Sequence, residues 1–271
     1  MHSHKTYDTL NNLTVWQTMP TITLAEMRDV KLMNRIDTKY VLSYDEVLTL
    51  LDMAATSGYR VQHIDGKRAL GYDTLYYDTP ERRMYLVHHN QVLTRQKIRT
   101  RTYLESGQTF LEIKNKTNRG RTKKQRTEID RSLFGGFAHD SEAISFYLPR
   151  ANFQPEEISP ALATRFVRIT LVNASLSERI TIDLDLSYED VRTGCKASVE
   201  KMAILELKQD GLTSSTMKLL LRDMHIPPLK VSKYCLGTAL TVEGIKKNRF
   251  KLKLRDIEKR LHSIKIVTTN S

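Results

Sequence analysis

Cysteine is almost absent from this chain, which has 2 cysteines among 271 residues. Cys195 and Cys235 are too few for a disulfide framework and lack the paired spacing of a structural zinc site, so both are expected to be reduced thiols. The sequence also lacks a run of roughly 20 apolar residues, the length that crosses a membrane as a helix. Residues 1–8 are polar and no apolar signal region follows them, which predicts a cytoplasmic protein.

Acidic residues are also scarce, since 31 Asp and Glu stand against 43 Lys and Arg, for a net charge of +12. Residues 246–271 contribute +7 of this charge, through nine Lys or Arg and two acidic residues, and leave +5 for the other 245. Excess positive charge indicates an anionic partner. More than half of the net positive charge lies in residues 246–271. What the remaining charge indicates depends on where its cations lie in the fold.

Three segments differ in their pattern. Residues 1–20 have no periodicity and are predicted to be a flexible lead, in which Trp16 supports no functional inference. Residues 21–245 are predicted to form one domain, and residues 246–271 a basic amphipathic helix. The apolar residues of this helix recur at intervals of four and three: Phe250, Leu254, Ile257, Leu261 and Ile264. Such a seam predicts packing on the domain or on a second copy in a dimer, and the alternative is an acidic membrane surface or partner.

The middle segment combines a few helices with many short strands. Thr23 with Glu26, and Ser43 with Glu46, have the spacing of capping boxes, and Gly58 is placed to end the second helix. Alternation and turn residues predict strands at 35–42, 71–77, 91–103, 109–116, 123–131, 163–173, 179–188 and 202–209. Seven or eight strands with few helices indicate an antiparallel barrel or sandwich.

Alternate residues of these predicted strands carry the cations. Residues two apart on a strand point the same way, so each strand has one charged face. A solvated sheet face also alternates apolar and charged residues. Such faces mix Lys with Glu, however, whereas neighbouring Lys97, Arg99 and Arg101 would repel one another unless an anion lay among them. A closed barrel would turn these faces inward, where a polyphosphate could neutralise them.

Phosphate chemistry suits such a lining. Arg binds phosphate oxygens with a planar fork, and Lys supplies a compact charge. In phosphoryl transfer the enzyme mainly aligns the reacting groups and stabilises charge. A Mg²⁺ ion in such a site uses few carboxylates, because it keeps waters and takes substrate oxygens as ligands. Sparse carboxylates among many cations are therefore consistent with this chemistry.

Six short motifs in this order resemble the VTC domain, the polyphosphate polymerase domain of the triphosphate tunnel metalloenzyme (CYTH-like) superfamily. They are Arg35–Tyr40, Lys97–Tyr103, Leu111–Lys114, Arg179–Asp183, Leu205–Lys208 and Ser232–Tyr234. The resemblance covers about residues 30 to 240. It implies an α+β fold, a closed antiparallel eight-stranded β-barrel with helices packed outside. It also implies metal-dependent transfer of the terminal phosphate of a nucleoside triphosphate, ATP above all, to a polyphosphate chain.

The resemblance also implies site residues. Those expected to act in catalysis are Lys39, Arg99, Arg101, Lys114, Arg168 and Lys208. Those expected to bind substrate phosphates are Arg35, Lys97, Lys116, Lys124, Arg126 and Lys233. Glu206 is expected to bind Mn²⁺ or Mg²⁺, with Glu112 and Asp183 orienting the cations. The sequence departs from the superfamily pattern at Asp37, which is shorter than the usual Glu and makes direct metal contact there doubtful, and at Phe166, where tyrosine is frequent.

Two other functions stay open at this point. The same fold could hydrolyse triphosphate or nucleoside triphosphate, with water replacing the phosphate chain as the attacking group. A polyanion-binding module without catalysis is the second alternative. Nucleic acid is not expected as a ligand, because only Tyr40 and Tyr103 accompany the basic strands and stacking surfaces need more aromatics. Coupling to translocation would need a separate membrane partner. His88 and His89 are expected at the surface.

Overall fold

The computed structural model describes residues 4–29, 35–119, 122–211, 214–260 and 266–269. The helices of these residues are α1 (His4–Asn11), α2 (Tyr44–Thr56), α3 (Arg83–His89), α4 (Ser141–Tyr147), α5 (Thr216–Asp223), α6 (Lys233–Thr241) and α7 (Asn248–Arg260). The strands are β1 (Thr21–Ile22), β2 (Arg35–Ser43), β3 (Arg60–Gln62), β4 (Ala69–Asp78), β5 (Arg95–Tyr103), β6 (Thr109–Lys116), β7 (Thr122–Ile129), β8 (Ser159–Val172), β9 (Glu178–Asp190), β10 (Lys196–Val199), β11 (Met202–Asp210) and β12 (Ile266–Thr269).

Eight long strands form one antiparallel sheet in the order β2-β11-β9-β8-β4-β5-β6-β7. Four short strands extend this sheet. Strand β10 pairs with the C-terminal half of β9, and β12 pairs with β10. Strand β3 pairs with β8, and β1 pairs with β3. The expected α+β fold, an antiparallel sheet with helices, is confirmed. The expected strand number of eight is too low, because the described residues include twelve strands.

The sheet is not closed by hydrogen bonds, so the prediction of a closed barrel is wrong in this respect. Among the described residues, edge strands β2 and β7 do not pair with each other. A loop lies along β2 instead, since the Leu229 amide donates to the Lys39 carbonyl over 2.8 Å. The same loop reaches β5, where Lys97 Nζ donates to Ser232 Oγ over 3.0 Å. The loop thus satisfies part of the edge of β2 that a neighbouring strand would otherwise occupy.

A β-bulge divides strand β9 between two partners. The register of β8 against β9 shifts between Arg165 and Val167, and Asp185 on β9 has the left-handed φ of 52°. Residues before the bulge pair with β11, and those beyond it pair with β10. The bulge therefore lets a single strand bend away from the main sheet while keeping its pairing with β8.

The segment over residues 1–20, which was predicted to be a flexible lead, forms a helix and a turn that pack on the domain where it is described. Helix α1 is followed by a 3₁₀ turn at Thr14–Gln17. Trp16 is 7% exposed and donates its indole N–H to the Leu10 carbonyl over 2.7 Å. Leu10 and Trp16 belong to the same apolar cluster as Leu50 of α2 and Leu221 of α5. The aperiodic sequence conceals this packing, because a short helix and a turn bury only a few side chains each.

Local helix signals were correct where capping chemistry decides them. Ser43 forms the expected reciprocal capping box with Glu46, and Gly58 has the expected left-handed φ of 78°. Thr23 and Glu26 also contact each other, but a 3₁₀ turn at Glu26–Asp29 follows rather than a long helix, and residues 30–34 lie outside the described ones.

Two helices were not predicted from the sequence pattern. Helix α3 ends at His89, just before the region 91–103 that was predicted as a strand, and β5 begins only at Arg95. Helix α6 was not predicted at all, because it is buried along most of its length and shows little apolar periodicity. Both helices pack against the sheet and against each other, so tertiary contacts determine them.

The C-terminal helix α7 packs on the domain with its apolar seam. Phe250, Leu254 and Ile257 join the cluster that contains Tyr85 and Leu236. The expected packing on the domain is thus confirmed for these residues, while Leu261 and Ile264 lie outside the described ones. A dimer through this helix stays a prediction. Within the described part of the chain, no helix combines the length and apolarity that crossing a membrane would need.

Gly237 provides a test of the fit between α6 and the sheet. A Cβ at this position would lie only 2.3 Å from Tyr188 Cδ1 and 2.8 Å from Leu162 Cδ2. Gly237→Ala should therefore lower the free energy of unfolding by about 1–3 kcal/mol, the usual cost of overpacking. Gly135→Ala, where a Cβ would meet nothing within 4 Å, should stay within about 0.5 kcal/mol of the wild type. Urea unfolding of both variants measures the difference, and equal stabilities would contradict the packing.

Candidate functional site

The charged faces of the long strands turn toward one shared space. On one side Lys39 of β2 lies opposite Glu206 of β11, and on the other side Arg99 of β5 lies opposite Glu112 of β6. The side chains that share this space are here called the basic interior. It consists of nine cations and three carboxylates: Lys39, Lys97, Arg99, Arg101, Lys114, Lys124, Arg168, Lys208, Lys233, Glu112, Asp183 and Glu206.

Charges on distant strands influence one another across this space. Burial alone would raise the pKa of Glu206, but Lys208 and Lys39 outweigh burial and hold that pKa well below its usual value. Lys114, which lies on β6 at the other side of the sheet order, contributes to the same lowering. Arg168 on β8 likewise acts on Arg101 on β5. The charged faces therefore converge, as the alternation predicted, even though the sheet is not closed.

Glu206 is held by two lysines. Lys39 Nζ donates to Oε1 over 2.5 Å, and Lys208 Nζ lies 3.3 Å from Oε2. The side chain is 20% exposed, so the carboxylate is accessible from the interior. Both lysines would compete with a metal ion for the same oxygens, or would move to substrate phosphates when the ion binds.

Asp183 on β9 fixes two further cations. It accepts from Arg168 Nε over 2.6 Å and from Nη2 over 2.9 Å, and Lys233 at the start of α6 also donates to it. Burial would raise the pKa of Asp183, but Arg168 and Lys233 outweigh that effect and lower it. Arg168 keeps its Nη1 group outside this bidentate pair. Asp183 thus orients both cations, the role that was expected for it.

Glu112 organises the opposite side of the basic interior. Arg99 donates to Oε2 through Nε over 2.7 Å and through Nη2 over 2.5 Å, and Lys124 donates to Oε1 over 2.5 Å. The carboxylate is fully buried. Burial would raise the pKa of Glu112, and the Arg99 guanidinium reverses this and holds it well below the usual value. Glu112 therefore stays ionised and holds its two cations in fixed positions.

Several cations have no carboxylate partner within the described residues. Arg101 is 4% exposed, and the only hydrogen bond of its side chain there is from Nε to Thr74 Oγ1 over 2.9 Å, so both terminal guanidinium nitrogens are left for a ligand. The ammonium of Lys114 has no hydrogen bond or ion pair in the same part of the chain, and neighbouring Arg99, followed by burial, holds the pKa of Lys114 well below the usual value. Groups of this kind bind anions strongly, because a ligand removes their mutual repulsion.

Aromatic rings line one wall of the basic interior. Arg168 Cζ lies 4.9 Å from the centre of the Tyr72 ring, and Lys233 Nζ lies 4.5 Å from that of Phe166. Tyr72 and Phe166 stack with a centroid distance of 5.2 Å. Stacked rings hold the cationic side chains by cation–π attraction without adding negative charge. Phe166, which replaces a frequent tyrosine, keeps this role because it needs only its ring.

Some expected site residues lie at the periphery or outside the described part. Arg126 is exposed on edge strand β7, where it stacks on Phe110 at 4.4 Å and donates to the Tyr103 hydroxyl. Lys116 lies at the end of β6 beside Arg95. The Arg35 side chain lies outside the described ones. The other expected residues are brought together in the basic interior.

Sequence reasoning missed the neutral members of the site. Thr74, Tyr72 and Tyr76 on β4 contact Arg101, Arg168 and Arg99, respectively. The burial of β4 is nearly continuous, so its sequence shows no alternation that would separate an interior face from a core face. These Tyr and Thr residues can be recognised as members of the site only once the pairing of β4 with β5 is known.

The two adjacent histidines are not at the surface as expected. They lie on helix α3, where His89 is 1% exposed and His88 is half-buried. His88 Nδ1 lies 3.1 Å from Cys235 Sγ on α6. Burial, with Lys97 next, lowers the pKa of His88 to about 2, while burial raises that of the Cys235 thiol. Both groups are therefore neutral at physiological pH and join α3 to α6.

The residues fit a divalent ion that brings most of its ligands with the substrate. Among the described residues, no three His, Cys, Asp or Glu side chains form a metal-binding group. Glu206 supplies one accessible carboxylate, which is enough for a Mg²⁺-type ion that also binds phosphate oxygens and water. Asp37 is exposed and lies opposite Lys208 in the β2–β11 ladder.

The fold and the site together define a class of protein, an antiparallel β protein whose cationic strand faces converge on one space suited to a polyanionic ligand. The chain belongs to the VTC domain family, whose family model matches residues 34–242. Among curated proteins, none matches the sequence.

Solved structures show weaker similarity. A candidate adenylate cyclase from Vibrio parahaemolyticus is 14% identical, with 76% of this chain and 99% of that chain covered and a TM-score of 0.44. A candidate adenylyl cyclase from Hippeastrum, described as having a dominant triphosphatase activity, is 15% identical, with coverages of 78% and 98% and a TM-score of 0.46. A Pyrococcus horikoshii protein is 14% identical, with coverages of 76% and 98% and a TM-score of 0.42. At these scores the likenesses have no bearing on function.

Replacing Lys114 should stabilise the free protein. Its ammonium is surrounded by cations, so Lys114→Met removes repulsion and should raise the free energy of unfolding by about 1 kcal/mol or more. The same variant should bind tripolyphosphate more weakly. Lys233→Met is the matched control, and it should lower stability because it removes a cation from buried Asp183. Thermal unfolding with and without tripolyphosphate measures both effects, and a change of the same sign in the two variants would contradict this assignment.

The interior lysines should also couple ligand binding to protonation. Burial lowers the pKa of Lys124 to about 7 and that of Lys233 to about 8, against about 10.4 in an unfolded chain. Between about pH 7 and pH 10 the unfolded chain therefore binds more protons, and stability should rise with pH in this window. A bound polyanion favours the protonated lysines. The folded protein should therefore take up protons when the polyanion binds.

Calorimetry at about pH 8, in two buffers with different ionisation enthalpies, should thus detect proton uptake when tripolyphosphate binds. Binding without proton exchange would show that these lysines are already charged in the free protein.

Proposed function

We propose that this protein is a metal-dependent polyphosphate polymerase, which transfers the terminal phosphate of a nucleoside triphosphate to a polyphosphate chain. Membership of the VTC domain family supports a triphosphate-related enzyme. The observation that supports a polyanionic substrate is the composition of the basic interior, in which nine cations face three carboxylates. With all nine of these side chains protonated the formal excess is six positive charges, which a highly charged ligand would neutralise.

The expected step is a direct in-line displacement. An oxygen of the terminal phosphate of the chain forms a bond to the γ-phosphorus, the bond from that phosphorus to the β,γ-bridging oxygen breaks, and the nucleoside diphosphate leaves. The attacking phosphate is largely ionised at neutral pH, since its second pKa is about 6, so no enzyme base is needed. The protein's task is therefore to align two anions that repel each other and to stabilise charge on the transferring group.

Fixed cations perform this task in the proposal. Arg99 and Arg168 are held by buried carboxylates, so their orientation costs little when the substrate binds. Arg101 presents both terminal nitrogens and can grip phosphate oxygens as a fork. Lys39 and Lys208 lie at Glu206 and can follow the phosphates of the nucleotide.

A divalent ion fits this proposal through Glu206. When bound, Mn²⁺ or Mg²⁺ would neutralise charge on the phosphates and help to align them. Which of the two ions is used is part of the proposal, as are ATP as the nucleotide and a cytoplasmic location.

One assay distinguishes the polymerase from its alternatives. Purified protein is incubated with ATP and Mn²⁺, and the products are separated on a gel stained for polyphosphate. Chains of increasing length are the expected result. Free phosphate without chains would identify a hydrolase, and unchanged ATP would identify a binding module, so either outcome would overturn the proposal.

Two substitutions test the site within this assay. Glu206→Gln should lower kcat on the order of 10²-fold, the cost typical of losing one electrostatic contact in the transition state. Arg101→Lys should chiefly raise KM for ATP, because a single ammonium replaces the fork. The exposed Lys251→Gln on α7 is a control for the loss of one charge outside the basic interior and should keep wild-type rates. Wild-type rates in the first two variants would remove the site assignment.

A further inference from the structure

Four cations meet at one end of the basic interior and are called the basic rim below. They come from four separate parts of the chain: Arg95 on β5, Lys116 on β6, Lys230 in the loop before α6, and Lys253 on α7. Nothing in their sequence spacing indicates that they meet. The tertiary structure brings them together, because α7 packs across the loop that lies along β2.

Contacts at the basic rim establish this proximity. Arg95 and Lys116 are directly opposite in the β5–β6 ladder. Lys253 Nζ donates to the Lys230 carbonyl over 3.2 Å, which fixes α7 to the loop. Lys230 and Lys253 also line a small groove between the loop and α7. Lys97, two residues from Arg95, donates to the hydroxyl of Ser232, two residues from Lys230, over 3.0 Å, so this hydrogen bond brings the two halves of the rim close together. Burial, followed by the charges of Arg95 and Lys230, lowers the pKa of Lys116.

The basic rim continues the interior along the same strand faces. Moving outward from the rung of Arg99 and Glu112, the next rung pairs Lys97 with Lys114, and the last pairs Arg95 with Lys116. At a rise of about 3.3 Å per residue, these two rungs lie about 7 Å and about 13 Å from the first. The row of cations therefore extends well beyond the carboxylates that hold the inner ones.

The rim differs from the interior in its lack of carboxylate partners within the described part of the chain. Among the described residues, none of its four cations forms an ion pair with Asp or Glu, whereas Lys39, Arg99, Arg168 and Lys233 of the interior each do. Arg95 and Lys253 donate to backbone carbonyls instead, Arg95 to that of Val92 over 3.0 Å. Like charges assembled without counter-charges indicate an anionic ligand at this position.

We propose that the basic rim binds the distal part of a polyphosphate chain, several phosphates away from the reacting end, and guides it out of the basic interior. This inference rests on the proposed function for the identity of the ligand. A short anion held at Arg99 and Arg101 does not extend to the outermost rung, so the rim distinguishes long chains from short ones. It acts on chain binding and on the length of the product, while the interior acts on the chemistry.

The test uses Lys230→Gln/Lys253→Gln, because neither lysine belongs to the basic interior. The control is Lys251→Gln/Lys259→Gln, which removes the same charge from exposed positions of α7. Binding of long-chain polyphosphate and of tripolyphosphate is measured for each by calorimetry over a series of salt concentrations. Thermal unfolding of both variants checks that they are folded.

The rim variant should bind long chains about tenfold or more weakly, with a salt dependence reduced by a slope of about two, one for each lost phosphate contact. Its affinity for tripolyphosphate should stay within about twofold of the wild type, since that ligand does not reach the rim. The control should match the wild type with both ligands. Equal losses for long and short ligands, or equal losses in the control, would overturn the proposal.

The outcome separates the rim from the proposed function. Loss of long-chain binding in a protein that makes no polyphosphate would refute the polymerase and support the rim. Chain synthesis with products of wild-type length and unchanged long-chain affinity in the rim variant would refute the rim alone. Vesicles containing acidic lipid serve as a third probe, and a loss of vesicle binding without a loss of polyphosphate binding would identify a membrane surface instead and overturn the proposal.

Discussion

Repulsion among enclosed cations is the constraint on which the rest of this structure depends. Lys and Arg side chains of six strands and one helix share a space in which three carboxylates balance only part of their charge. Folding such a set costs free energy, because the charges lose water and come close together. Each carboxylate reduces this cost by holding two cations at once, as Asp183 holds Arg168 and Lys233. The remaining excess of positive charge lowers the stability of the free protein. The same excess is the source of its affinity for a polyanion.

The surrounding architecture is arranged to maintain this imbalance. An apolar cluster built from α1, α2, α5 and the outward faces of the strands supplies the burial that offsets the repulsion. Helices α3, α6 and α7 cover the other side, and α6 delivers Lys233 to Asp183 from outside the sheet. The loop before α6 lies along the edge of β2 and reaches Lys97 on β5. An edge covered by a loop can be opened more easily than a continuous hydrogen-bonded barrel, which suits a ligand longer than the interior.

Functional inference from the sequence succeeded where alternation carries the information. The period of two on β2, β5, β6 and β11 placed Lys39, Arg99, Lys114 and Glu206 on inward faces, and the structure brings these residues together. The inference failed for site residues that are recognisable only by their contacts with other strands or helices. Tyr72 and Thr74 lie on a strand buried on both sides, whose sequence has no contrast between faces. The open edge between β2 and β7 was also not predictable, because hydrogen-bond closure depends on the path of a loop far away in the chain.

The sequence by itself determined the local elements, the charged faces of the strands and the family to which the chain belongs, because these follow from spacing along the backbone. It determined the capping box at Ser43 in the same way, through groups three residues apart. Only the tertiary structure decided that the N-terminal segment is packed, that His88 meets Cys235, and that Arg95, Lys116, Lys230 and Lys253 form a rim beyond the interior. Those features join residues that are far apart in sequence, and the periodicity of a single strand or helix contains no information about which distant element packs against it.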